Sequence, residues 1–300
     1  LSTLFFSIIQ YMENNNSALI LEGGGMRGAY VTGVLDFFLE NNIEFDACYG
    51  VSAGAGHACS FLSKQKGRAI RVNLNYLTNP KYAGFRSLLT TGDFFGCKFI
   101  YEKVPNELDP YDYEAFRNNP THFYAVATSL ATGKAEYFHL QDLKKDMIKV
   151  VASSSLPFLS RIVTIEGKPY LDGGIADSIP FKQAINDGYK KIVVVLTRDE
   201  NYRKKPFKFK KILQWKYGKY PLFVEAMLKR AENYNKTLEE IRTAEERGEI
   251  FVIRPSKELK IGRLEKDKEK IKALHSLGFS NATQKKDSLL NYLFSNIPNK

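Results

Sequence analysis

Cysteine is scarce in this 300-residue chain: Cys48, Cys59 and Cys97 are the full complement, an odd number with no paired spacing. A disulfide framework and a cysteine-based zinc site are therefore excluded as organising devices, and a reducing, cytoplasmic compartment is expected. No stretch of 18 apolar residues occurs, so no transmembrane helix is expected. The opening LSTLFFSIIQY carries neither a basic leader nor a small-residue cleavage site, which argues against a secretory signal. Met12 begins a polar run just ahead of the first strand pattern, and residues 1–11 are expected to be a cloning-derived or alternative start rather than part of the body. Internal repeats and low-complexity linkers are also missing. What the chain has in quantity is apolar surface, with 44% hydrophobic and 13% aromatic residues, enough for one or two cores and too much for disorder.

Acid is in deficit: 44 Lys and Arg stand against 33 Asp and Glu, a net charge of +11. The excess is local. From Arg203 to Tyr220 the sequence RKKPFKFKKILQWKYGKY holds eight cations and no acid, and the rest of the chain carries only +3. Lysines interleaved with Phe207, Phe209, Trp215, Tyr217 and Tyr220 fit three roles. One is a solvated surface with aromatics packed inward, one is a peripheral contact with anionic lipid or a substrate lid, and one is RNA binding through stacking and phosphate contacts. Nucleic acid is not the expected partner.

Hydrophobic patterning alternates strands with helices. Ala18–Leu21, Asp46–Tyr49, Lys191–Leu196 and Ile250–Ile253 read as buried strands, and His122–Thr128 with Ala135–His139 as a pair joined by a turn. Tyr30–Leu39, Ala55–Leu62, Val224–Arg247, Leu264–Leu277 and Asn281–Phe294 read as helices. Fully apolar strands alternating with helices predict a three-layer α/β/α sandwich with a mostly parallel central sheet. The expected organisation is an N-terminal tail over 1–14, a core over 15–200, and a C-terminal basic segment, strand and helices over 201–300 packed on that core.

Three glycine motifs stand out. LEGGGMRGAY, with Gly23, Gly24, Gly25, Arg27 and Gly28, lies between a strand and a helix. Its spacing fits a dinucleotide fingerprint, although the acid expected about 20 residues on, Asp46, opens its strand instead of closing it. It equally fits an anion hole, in which successive glycines turn backbone N–H groups toward one negative oxygen at a helix N-terminus. Gly50-Val51-Ser52-Ala53-Gly54 is a GxSxG between a strand and a helix, the setting of a nucleophile elbow. Asp172-Gly173-Gly174 sits in a tight loop, either a hairpin turn or a carboxylate aimed into a cleft.

A serine nucleophile needs a base. Of the four histidines, only His275 follows Asp172, as the common Ser–acid–His order would require, and it lies in a charged amphipathic helix. His57 is on the helix that begins at the serine, and His122 and His139 sit at strand ends. Asp172 is left as the base, giving a Ser52–Asp172 dyad. Arg27 has two readings, a side chain paired with an acid or a direct contact with a phosphate head group. The aromatics Phe94, Phe95, Phe99 and Tyr101 could line an acyl pocket or simply pack the core.

GGGMRG, GVSAG and DGG in this order resemble the patatin-like phospholipase family over Ala18 to about Pro180, together with the small-residue stretch Ala152–Pro157. The C-terminal part is similar to a bacterial patatin-like esterase subgroup. The resemblance implies that Ser52 attacks an acyl ester carbonyl, that Asp172 takes its proton, and that backbone amides around Gly24, Gly25 and Arg27 receive the oxyanion. It implies no metal and no cofactor, and lipid or other acyl esters as substrates. Two rivals remain: a nucleotide- or nucleic-acid-binding module using the GxGxxG-like loop and the basic segment, and a patatin-like scaffold retained for binding.

Overall fold

β1 (Ser17–Leu21, SALIL) and β2 (Ala47–Val51, ACYGV) are buried at every position. A strand with no solvent face must be covered on both sides, and parallel strands linked through helices achieve this. The structure is a computed structural model in which residues 16–257 and 260–295 are described; the expectations for residues 1–14 lie outside them. Among the described residues the further strands are β3 (His122–Ser129), β4 (Ala135–Leu140), β5 (Val163–Ile165), β6 (Lys168–Asp172), β7 (Lys191–Val195) and β8 (Ile250–Ile253). They form one sheet in the order β5-β6-β3-β2-β1-β7-β8, with β4 also paired to β3. β3, β2, β1, β7 and β8 are mutually parallel, while β4 and β6 run antiparallel to β3.

The helices that matter for the site are α1 (Ala29–Glu40), α2 (Ala53–Leu62), α3 (Leu143–Ser154), α4 (Lys210–Tyr217), α5 (Pro221–Glu246) and α6 (Lys268–Gln284). Because side chains alternate along a strand, Leu19 and Leu21 pack into one layer with α1, α2 and α6, and Ala18 and Ile20 into the other with Phe181, Tyr234 and Ile241. The layered α/β/α architecture and the mostly parallel sheet agree with the sequence pattern. β4 and β6, both antiparallel to β3, and β5, antiparallel to β6, finish one side of it.

The differences are local and have causes. Asp172, expected in a loop, is the last residue of β6. α6 starts later than expected because the Asp267 side chain accepts the N–H groups of Glu269 and Lys270 and so fixes the first turn at Lys268. It also runs on through Gly278 to Gln284. α6 lies so close to α1 that a Cβ built on Gly33 would stand 2.0 Å from the carbonyl oxygen of His275.

This contact sets a stability test. Gly33→Ala forces two backbones apart and should lower stability by about 1–3 kcal/mol, the usual cost of overpacking. Gly56→Ala is the contrast, since a methyl there meets nothing within 4 Å. It should leave stability unchanged or raise it by up to about 1 kcal/mol through helix propensity. Urea unfolding midpoints of the two variants check this.

Candidate functional site

Parallel strands deliver their loops at their carboxyl ends, where open α/β sheets form clefts. The glycine loop follows β1, the serine turn follows β2 and Thr197–Arg198 follows β7. β3 sets the register between two of the motifs. It pairs with β2 from Ala47↔His122 to Val51↔Val126, and one residue further on β6 pairs with it at Ala127↔Asp172. Ser52 leaves the end of β2 and Asp172 ends β6, so both arrive at the same place.

Ser52 has φ of 55° and ψ of −124°, a left-handed conformation that is costly for a residue with a Cβ. It stands immediately before α2, as nucleophilic serines do on strand-to-helix turns. Neighbouring serines hold it there. Its N–H donates to Ser153 Oγ at 2.9 Å, and its carbonyl accepts from Ser154 Oγ at 3.2 Å. The next residue, Ser155, accepts the Asp172 N–H on its carbonyl at 2.7 Å. The end of α3 thus clamps both motifs. Three consecutive serines are the sequence signal for this clamp, which the sequence alone shows only as part of the small-residue stretch Ala152–Pro157.

Asp172 is 2% exposed. Its Oδ1 accepts the Gly174 N–H at 2.8 Å, and its Oδ2 is buried with no hydrogen-bond partner among the described residues. Thr128 Oγ1 donates to its carbonyl at 2.9 Å. Gly173 lies against β3, where a Cβ would come within 2.0 Å of the Val126 oxygen. In the glycine loop Gly25 has φ of +57°, and a Cβ on Gly23 would stand 2.8 Å from the Ser52 Cβ. The Arg27 amide donates to the Gly24 carbonyl at 3.3 Å and the Met26 amide to Arg263 at 3.1 Å. The amides of Gly23, Gly24 and Gly25 donate to no acceptor among the described residues. Gly28 packs on the His57 ring, Ala53 opens α2, and Gly50 and Gly54 pass close to Ala55 and the Leu21 carbonyl.

The histidines lie elsewhere. His275 Nδ1 is 2.9 Å from Thr32 Oγ1, between α1 and α6, and the rings of His122 and His139 lie 5.5 Å apart, tilted by 52°, where β3 meets β4. His57 faces the site's pocket, but its Nε2 is buried without a partner. Asp46, the candidate ribose ligand, is at the opposite end of the sheet, where its Oδ2 accepts the Ser17 N–H at 2.7 Å and the Ser17 hydroxyl at 3.0 Å.

Ser52 lies on the seam of two pockets. One, of about 120 Å3, is mainly apolar, with Met26, Val72, Phe95, Ile100, Tyr101 and Val104 among its walls. Of the aromatics singled out in sequence, Phe95 and Tyr101 line it, while Phe94 is buried core and Phe99 packs edge-on against Tyr76. The other pocket, about 30 Å3, holds Asp172, Glu22 and five cations: Arg27, Arg198, Lys204, Arg230 and Arg263. The basic segment divides. Lys204 turns into this cleft, and Phe207 stacks on Phe158. Phe209 at 63% and Trp215 at 85% exposure point outward beside Lys208 and Lys211.

The serine turn, the buried carboxylate and the glycine loop thus meet at one end of a mixed, mostly parallel sheet flanked by helices. The chain belongs to the patatin-like phospholipase family, whose profile matches residues 19–185, more than half of it. A domain of unknown function, DUF6363, matches residues 220–294. The uncharacterized protein YjjU of Escherichia coli K12 is 32% identical over 203 residues, 66% of this chain and 56% of that protein. The chain therefore spans little more than half the length of that relative. VipD from Legionella pneumophila superimposes with a TM-score of 0.44 at 13% identity, covering 91% of this chain and 67% of that one. Among the described residues no helix is long and apolar enough to cross a membrane.

His57 gives the site a pH signature. Burial pushes its imidazole down to about 4 from 6.5, so between these values the unfolded chain binds a proton that the folded chain refuses. The stability involved is present above pH 6.5 and is lost as pH falls toward 4. Urea unfolding at pH 7 and pH 5 should differ by a component of about 1–2 kcal/mol that His57→Gln removes.

Proposed function

We propose that the protein is a serine acyl hydrolase that cleaves carboxylic esters of lipids through Ser52 and Asp172. The observation that carries this reading is the unpartnered Oδ2 of buried Asp172 in the cleft that also exposes the strained Ser52. A buried carboxylate oxygen without a donor is costly unless the working state provides one. The Ser52 hydroxyl is that donor: its hydrogen bonds in the resting structure run through its backbone, leaving Oγ to turn toward Asp172.

In the reaction, Asp172 Oδ2 takes the Ser52 proton as Oγ bonds to the ester carbonyl carbon. The oxyanion that forms accepts N–H groups of the glycine loop, where each preorganised donor contributes about 3 kcal/mol to the transition state. The positive end of α2 adds to the same field. The carbon–oxygen bond to the alcohol breaks, and Asp172 returns the proton to the leaving oxygen. Water, deprotonated by Asp172, then opens the acyl-serine and restores Ser52. The apolar pocket suits the acyl chain. The nucleotide-binding rival loses its ribose ligand, since Asp46 is spent on Ser17.

Phe209, Ile212 and Trp215 are all more than half exposed, on a segment rich in lysine. They support a peripheral contact with anionic membrane, in which aromatic rings enter the head-group layer and lysines meet lipid phosphate.

Asp172→Asn should lower kcat on p-nitrophenyl esters about 10²–10⁴-fold, the range for loss of a general base. Ser52→Ala should do at least as much, with unchanged circular dichroism. Turnover that survives either change in folded protein overturns the dyad. For the membrane contact, Phe209→Ser with Trp215→Ser, and separately Lys205, Lys208, Lys210 and Lys211 changed to Gln, should each weaken co-sedimentation with phosphatidylserine vesicles at least about tenfold, given about 1 kcal/mol per lysine near an anionic surface. Unchanged binding would make the segment an ordinary solvated surface.

A further inference from the structure

The proposed chemistry uses Ser52, Asp172 and the glycine loop of this cleft but not the five cations that also line it. Five cations face two carboxylates, an excess of three positive charges in a small space. Among the described residues none of the five has a carboxylate oxygen within ion-pair distance. Glu22, the nearest acid besides Asp172, accepts instead from the Thr197 N–H at 2.6 Å, the Thr197 hydroxyl at 2.9 Å and the Tyr234 hydroxyl at 2.6 Å. Two of the cations are positioned by aromatic faces rather than by anions. The Lys204 ammonium lies 3.5 Å from the centre of the Tyr234 ring, and the Arg198 guanidinium 4.2 Å from that of Tyr202. Cation–π contacts hold a charge in place while leaving its N–H donors unspent.

The donors are indeed unspent. Arg27 is only 7% exposed, yet its Nε is buried with no partner, and the Arg198 Nε is in the same condition. Arg230 gives its Nε–H to the Gly174 carbonyl and keeps its terminal nitrogens for the cleft. Burial together with mutual repulsion pushes Arg27 and Arg230 down to about 10, and burial beside Arg230 pushes Lys204 well below the usual lysine range. Two carboxylates only partly offset such a cluster, and a further anion would lower the cost of holding it charged.

We infer that Arg27, Arg198, Lys204, Arg230 and Arg263 form a subsite for a compact dianionic phosphate, which makes acyl esters with a terminal phosphate monoester the preferred substrates. The inference rests on the hydrolase reading above. About 30 Å3 of space beside Ser52 admits two or three water-sized groups, and the same five cations also line an adjoining pocket of about 490 Å3 that reaches along the basic segment. Guanidinium groups match phosphate in planar, paired hydrogen bonds. A neutral glyceride would leave the excess charge unanswered, and a choline head group would add another cation to it. Arg230, Tyr234 and Arg263 come from the region matched by the domain of unknown function. Arg27 comes from the patatin-like part, and Arg198 and Lys204 from the stretch between the two matches, so the subsite is assembled from both regions and their connection.

The test uses the full chain and three substrates with one acyl chain, below their micellar concentrations: acylglycerol phosphate, acylglycerophosphocholine and monoacylglycerol. The phosphate monoester should have the highest kcat/KM, by at least about tenfold over the other two, as charge-assisted hydrogen bonds of 1.5–3 kcal/mol each require. Inorganic phosphate should compete with it. In Arg198→Gln and in Lys204→Met the ratio of phosphate-bearing to neutral substrate should fall about tenfold, and Arg198→Lys should recover part of it. Equal turnover of all three without phosphate inhibition overturns the subsite and leaves the hydrolase intact. Inhibition by inorganic phosphate without head-group preference overturns the substrate assignment, the cleft then being a site for free anion. If no ester is cleaved but phosphate still raises the melting temperature in wild type and not in Arg198→Gln, the anion subsite stands and the hydrolase reading is what fails.

Discussion

β3 divides its pairing between two strands, and the site depends on that division. Its residues as far as Val126 hold β2, and Ala127 begins the pairing with β6. The end of a parallel strand and the end of an antiparallel one are thereby fixed to consecutive positions on a shared backbone. Since a slip of one residue would turn every side chain of β6 to the other face, the register is enforced by burial. Tyr170 and Leu171 are packed into the interior and could not exchange places with solvent-facing neighbours. The serines at the end of α3 then complete the constraint by bonding to both Ser52 and Asp172. Without this double anchorage, the left-handed backbone at Ser52 would have little to hold it.

Around that fixed point the environment is asymmetric. One side of Ser52 is an apolar pocket and the other a cleft with an excess of positive charge. A molecule crossing the seam would have an apolar tail and an anionic head with a scissile bond between them. The C-terminal region is therefore part of the site's electrostatics as well as of its packing. β8 extends the sheet, α6 covers α1, and α5 carries Arg230 and Tyr234 to the cleft.

How much could be read from the sequence followed from how local each signal was. Gly23–Gly28 and Gly50–Gly54 are contiguous, and their meaning lies in a turn between an apolar strand and a helix, which a short window contains. Asp172 stands out as a candidate, but its position at a strand end is hidden because β6, KPYLD, opens on a lysine and a proline and shows no apolar run. The clamp of Ser153, Ser154 and Ser155 reads locally only as a small-residue stretch, and its partners lie far away in sequence. The cation cluster is illegible for the same reason. Arg27, Arg198, Arg230 and Arg263 are scattered singly, and Lys204 is hidden in a run whose other lysines face water. The net charge of +11 points to that run as one feature, whereas the fold splits it into an inward cation and an outward aromatic and basic face.

The central claim is that Ser52 attacks the ester and Asp172 activates it. Peptide mapping of the protein after reaction with a fluorophosphonate tests this most directly. A single adduct on Ser52, formed far more slowly in Asp172→Asn, is the predicted result. Labelling of another residue while Ser52 stays unmodified, in protein that hydrolyses esters, would contradict it.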